Sequence, residues 1–202
     1  MKKFFTLIVA TLMASSMMAQ MHGAMTFAGA SSINVLTQNT GNACDTVRFE
    51  MASMSAGNIT LPVMQGLAAI PSFTIENVAF SKGENHVISI AEQTFTSKVT
   101  VNGEEKNIEG SSISGSYNMA DNSLTLKAVF KYGSMPFDLT YEVKAYYVKP
   151  VASAITVNVG GTFIYGNDGV TYNVRKYIDG DAEKVDVEIP TYTLDNTVMG
   201  NL

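Results

Sequence analysis

From Asp45 onward the chain alternates apolar and polar residues, and a period of two is the signature of a half-buried β-strand. Val47, Phe49 and Met51 fall on one side of such a strand, Arg48 and Glu50 on the other. Leu124, Leu126, Ala128 and Phe130 alternate with Thr125, Lys127, Val129 and Lys131. Phe137, Leu139, Tyr141, Val143, Ala145 and Tyr147 alternate with Asp138, Thr140, Glu142 and Lys144. That last run is long for one strand and predicts a curved or strongly coiled one. Ile155, Val157 and Val159 alternate with Thr156 and Asn158. Helical periodicity is almost absent after residue 20, so the pattern predicts an all-β, antiparallel protein.

Turn chemistry punctuates the strands. Asn102-Gly103 is a two-residue hairpin signal, because both residues tolerate the positive φ of a type I′ turn. Asp121-Asn122, Tyr132-Gly133-Ser134 and Asn167-Asp168-Gly169 read as further turns. In Phe73–Phe80 the apolar phase flips at Glu76-Asn77, as one inserted residue, a β-bulge, would make it. Gly160-Gly161 reads as a bulge or barrel corner, and Gly115, between Ser114 and Ser116, as a bend. Short strands at this spacing predict a barrel or a sandwich.

The first residues carry a different signal. Lys2-Lys3, the apolar run Phe4–Met13 and the small residues Ala14-Ser15-Ser16 form the pattern of a secretory signal peptide, with cleavage expected after Ala19. The apolar run is too short to span about 30 Å of hydrocarbon as a helix. Export places the protein in the periplasm or outside the cell. Without residues 1–19 the formal charge is −7, from 11 basic (13 less Lys2 and Lys3) and 18 acidic residues. No basic run occurs, which excludes nucleic acid and anionic membrane surfaces as natural partners. Cys44 is the sole cysteine, so no intramolecular disulfide forms and the core must hold the fold; it is expected to be half-buried near a strand start.

Two segments echo one another. Asn34-Val35 and Asp45–Met51 find counterparts in Asn173-Val174 and Glu183–Ile189, at offsets of 139 and 138 (173 − 34 and 185 − 47). Thr26-Phe27 matches Thr162-Phe163. An offset of this size means tandem domains rather than a short-period solenoid. Lys149-Pro150-Val151-Ala152 follows the longest strand and reads as a linker, since proline cannot continue a central ladder. The expected organisation is a signal peptide at 1–19, a β domain at 20–148, a linker at 149–152 and an incomplete second copy at 153–202. An incomplete copy leaves strand edges unpaired, and such edges recruit other chains.

Asp45–Met51, Asn58–Met64 and Ile70–Val78, with Ile113–Tyr117 and Ser123–Lys127, resemble a group of secreted bacterial proteins with a calycin-like (lipocalin-like) β-barrel domain. The resemblance covers about residues 24–148 and restarts near 154. It implies a closed antiparallel barrel, secretion and a small apolar ligand inside; it implies no catalytic residues. It also implies a second unit as long as the first, whereas this sequence ends at Leu202.

Little chemistry stands out. His22 and His86 are far apart, and no spacing supplies them with carboxylate partners for zinc, so no metal and no cofactor are expected. Asp179-Gly180-Asp181-Ala182-Glu183 alternates carboxylates but lacks the rest of a calcium loop, and reads as a polar turn. No Gly-x-Ser-x-Gly elbow occurs. Hydrolysis by dispersed carboxylates finds no paired acids in the sequence, and the protein is expected not to be an enzyme. The aromatic set is the suggestive one: Phe73, Phe80, Phe130, Phe137 and Tyr141, with Phe95 and Tyr147, either fill a barrel or line a space for one small hydrophobic molecule. Two functions follow: a barrel holding an apolar ligand, or an assembly module that self-associates through strands of 153–202.

Overall fold

The computed structural model describes residues 23–65, 69–83 and 86–188; the predicted signal peptide and His22 lie outside them. Eleven strands form: β1 (Met25–Val35), β2 (Gln38–Met51), β3 (Ala56–Leu61), β4 (Phe73–Ala79), β5 (Ser81–Lys82), β6 (Val87–Val101), β7 (Glu104–Asn118), β8 (Ser123–Tyr132), β9 (Leu139–Val159), β10 (Thr162–Asp179) and β11 (Ala182–Glu188). They make an antiparallel sheet in the order β4-β3-β2-β1-β9-β8-β7-β6-β5, with β10 paired to β9 and to β11. The chain divides into two compact units between Tyr147 and Val148.

In unit 1 the alternation lands as the pattern requires. Leu124, Leu126, Ala128 and Phe130 of β8 are buried, as are Leu139, Tyr141, Val143 and Ala145 of β9. The inner face packs against itself. The Phe27 ring of β1 meets Tyr117 of β7 edge-on, with centroids 5.1 Å apart, and Phe73 of β4 meets Phe130 of β8 at 5.4 Å. Each fully buried side chain of this size contributes about 1.5–3 kcal/mol.

The two ends of the strand order, β4 and β5, are separated along the chain by Phe80 alone. The sheet therefore comes round to meet itself, yet the expected closed barrel is not what forms. Among the described residues no backbone ladder joins β4 to β6. Bulges on both sides of the seam are the reason. Glu76 and Asn77 together oppose Asn58, and Asn77 adopts φ 55° while its N–H donates to the Asn58 side chain at 3.0 Å. In β6 the register shifts on both sides of Gln93. Side chains take over where the ladder fails. Gln93 accepts from the Ala79 N–H and donates to the Ala79 carbonyl, both at 2.8 Å, imitating one rung. Ser97 Oγ donates to the Thr74 carbonyl at 2.7 Å.

Two glycines are required by close approach. A Cβ on Gly29 would sit 2.2 Å from the Lys144 carbonyl oxygen, and one on Gly115 2.3 Å from that of Thr125. Gly115 thus permits close strand contact with β8, and on its other side it faces Ile90, where the register of β6 shifts.

The turns divide into agreements and corrections. Asn102-Gly103 forms the expected hairpin, with φ of 53° and 82°. The bulge expected at Glu76-Asn77 is present. Gly160-Gly161 is instead a hairpin turn between β9 and β10, with φ of 58° and 82°. Asp168-Gly169 does not end a strand; it is extra backbone opposite Ala154, and β10 continues through it. Lys149–Ala152 lies next to the boundary between the two units. The strand β9 runs through it, with Pro150 opposite Asn173. Here β10 is the neighbour in register, and a strand needing rungs on one side can carry a proline. Cys44 is exposed rather than half-buried, because it lies in a bulge of β2.

Unit 2 consists of the later part of β9 with β10 and β11. Like β1 and β2, β10 and β11 form a hairpin whose first strand lies on β9. The registers differ, however. Asn34 faces Asn39, whereas its counterpart Asn173 faces Glu188.

Replacing Gln93 by alanine removes both contacts to Ala79. The expected result is a loss of about 1 kcal/mol, read as a lower urea midpoint, because water can partly replace the lost partner at this exposed seam. Gly29→Ala forces two backbones apart, and the expected cost is about 1–3 kcal/mol. A Gly29→Ala midpoint equal to wild type would contradict the close approach.

Candidate functional site

The aromatic residues singled out from sequence all belong to the hydrophobic core or pack against it. Phe73 and Phe130 are in contact, with Phe95 beside Phe130 at 6.4 Å. Phe80 packs instead on Phe49, with centroids 5.7 Å apart, and Phe137 is half-buried against the core. Tyr141 is fully buried and belongs to a polar cluster. A groove of about 810 Å³, open to solvent, lies along the seam, where Phe73, Val99 and Ile108 line it together with Thr60, Thr74 and Ser97.

The polar cluster is centred on Asp45, the buried charged residue among those described. Ala43 and Cys44 of β2 together oppose Ala30 of β1, a bulge held by the Asn42 side chain. Asn42 Oδ1 accepts from the Cys44 N–H at 3.1 Å, and Asn42 Nδ2 donates to Asp45 Oδ1 at 2.5 Å. Ser31 Oγ donates to Asp45 Oδ2, and the Tyr141 hydroxyl reaches the same oxygen at 3.4 Å. These residues border a cleft of about 110 Å³ with Thr40, Met64 and Gln65. Burial foremost, and then the Asp45 charge, hold the Tyr141 hydroxyl well above the ordinary tyrosine range. Asp45 is the shared acceptor of this cluster, and through Asn42 the cluster braces the bulge of β2. Sequence reasoning missed it, although a signal was present: Asp45 has the same phase as Val47 and Phe49, which puts a carboxylate on the inner face.

Unit 2 presents a second kind of surface. In register, Tyr172 faces Val151, Val174 faces Val187, and Lys176 faces Val185. Val151, Val174, Ile178, Val185 and Val187 therefore share one face, with the Lys176–Glu183 ion pair among them. Ile178 is 47% exposed, Val185 50% and Val187 54%. The opposite face is polar and internally paired. Arg175 bonds Asp186 and stacks over the Tyr177 ring at 4.9 Å. Lys184 bonds Asp179, which holds that carboxyl below its ordinary range and raises the ammonium. Among the described residues, β11 is paired only with β10, so its outer edge carries no ladder.

Asp45→Ala leaves Ser31 and Asn42 without their shared acceptor. A loss of about 2–3 kcal/mol is expected, read by chemical denaturation, because charged hydrogen bonds are the stronger kind. Alkaline sensitivity follows from the tyrosines. Burial pushes the Tyr117 hydroxyl up to about 12 from an ordinary 10.0. The unfolded chain then loses this proton first, so stability is complete below about pH 10 and falls as pH rises toward 12. Tyr117→Phe is expected to flatten that decline, measured as urea midpoints across the same window.

No protein-family model matches the chain, and no curated protein matches it. Among solved structures it is distantly similar to a crystal structure of a "putative outer membrane protein" from Bacteroides fragilis. The match has a TM-score of 0.48 at 20% identity and covers 62% of this chain and 50% of that one. The chain thus spans about half the length of that protein.

Proposed function

We propose that the chain is an exported, non-enzymatic β protein of the cell envelope that works as an assembly module, with unit 2 as its working surface. One observation carries this reading. The face bearing Val151, Ile178, Val185 and Val187 is exposed, and it adjoins a strand edge with no ladder among the described residues. Soluble proteins blunt such edges or cover them, because an unpaired row of N–H and C=O groups templates another strand. Contiguous exposed apolar surface marks a place of contact. The signal-like N-terminus supports export, and the calycin-like resemblance accords with the curled sheet of unit 1.

The alternative, a small apolar ligand inside unit 1, has less support. Phe73 and Phe130 pack on one another, Tyr141 bonds Asp45, and the groove that Phe73 lines is open to solvent.

A photo-reactive side chain at position 187 tests the assembly reading in the producing cell. Covalent adducts are expected from Val187, and none from the same probe at Lys127, an exposed residue of unit 1. No adducts at 187, or equal yields from both sites, would count against it.

A further inference from the structure

We infer that the partner of the β11 edge is a second copy of this chain, joined antiparallel about a two-fold axis at Val185. The inference rests on the reading of unit 2 as the assembly surface and names its occupant. The strand Ala182-Glu183-Lys184-Val185-Asp186-Val187-Glu188 is charge-complementary to itself in one register. Directly opposed residues of an antiparallel pair point to the same side of the sheet. Centred on Val185, the two copies set Val185 against Val185 and Lys184 against Asp186, twice over. Centred one residue either way, Lys184 meets Lys184 or Asp186 meets Asp186, and like charges directly opposed are unfavourable. Centred between two residues, the apolar face of one copy continues into the polar face of the other.

The register at Val185 also extends what each copy already has. On the polar face Asp186 is bonded to Arg175, and Lys184 to Asp179. Across the axis these become an alternating row, Arg175–Asp186–Lys184–Asp179, in which the last two residues belong to the second copy. On the other face Val185 meets Val185, and each Val187 lies opposite Glu183 of the second copy and diagonal to its Val185. Self-complementarity of one patch is what a two-fold dimer demands.

The full chain is measured by sedimentation with amide exchange along β11. The expected result is twice the mass of one chain, with β11 amides protected. Lys184→Asp opposes aspartates to Asp186, and Asp186→Lys opposes lysines to Lys184. Each variant alone is expected to sediment as one chain, and their equimolar mixture to recover the doubled mass. The double variant carries the swapped pair and is expected to dimerise alone. Circular dichroism of each variant shows that it folds.

A wild-type monomer with unprotected β11 amides overturns self-pairing and leaves the edge open to another partner. A monomer with protected β11 amides overturns both self-pairing and the assembly reading, since the chain then covers its own edge. Single variants that dimerise like wild type, or a mixture that stays monomeric, overturn the Val185 register.

Discussion

An unpaired strand edge is the constraint on which this structure turns. Every residue of a strand carries a donor and an acceptor, and the outermost strand has nowhere inside the sheet to spend half of them. Unit 1 meets the constraint by curling until its ends adjoin through Phe80. Backbone pairing cannot finish the job, because bulges at Glu76-Asn77 and around Gln93 put the two strands out of step. The Gln93 amide does so instead, offering to Ala79 the same acceptor and donor that a backbone rung would offer.

Curling has its own requirements, and particular residues meet them. Strands that bend inward bring backbones together, and Gly29 and Gly115 leave room where a methyl group would collide with a carbonyl. The bend in β2 needs an extra residue, and the bulge at Ala43-Cys44 supplies it. Asn42 and Asp45 then bind the loosened backbone and hydroxyls, so a carboxylate is tolerated on the inner face. Large rings close the interior: Phe130 touches both Phe73 and Phe95, linking strands from both ends of the sheet order.

Much of this was legible in the sequence, for identifiable reasons. Alternation in β8 and β9 gave the inner face residue by residue, because burial on one side of a pleated strand imposes a period of two. Asn102-Gly103 gave its hairpin because few residues accept positive φ twice in succession. Gly160-Gly161 has the same property, yet in sequence it reads equally as a bulge or barrel corner; the decisive fact, continuation of pairing on both sides, depends on β10. Pro150 misled because the rule against proline holds for a central strand. Which edges are needed is a tertiary fact. The seam was invisible for a related reason: nothing local marks Gln93 as the partner of Ala79. Asp45 was different, since its inward phase was plain and only its partners were hidden.

The two units answer the edge constraint differently although they share a pattern. Alternation in β11 is as regular as in β8, and it sorts Val185 and Val187 from Lys184 and Asp186 just as cleanly. What differs is what stands against the sorted faces. In unit 1 the apolar face finds its opposite across the curl, as Phe27 finds Tyr117. In unit 2 the polar face is the one that finds partners, through Arg175, Tyr177 and Lys184, whereas Val185 and Val187 remain open to water. Cross-strand ion pairs on an exposed surface add little stability each. Burying an apolar row against a second layer or a second strand adds considerably more. Among the described residues, the apolar face shared by β10 and β11 therefore lacks the burial that the inner face of unit 1 has.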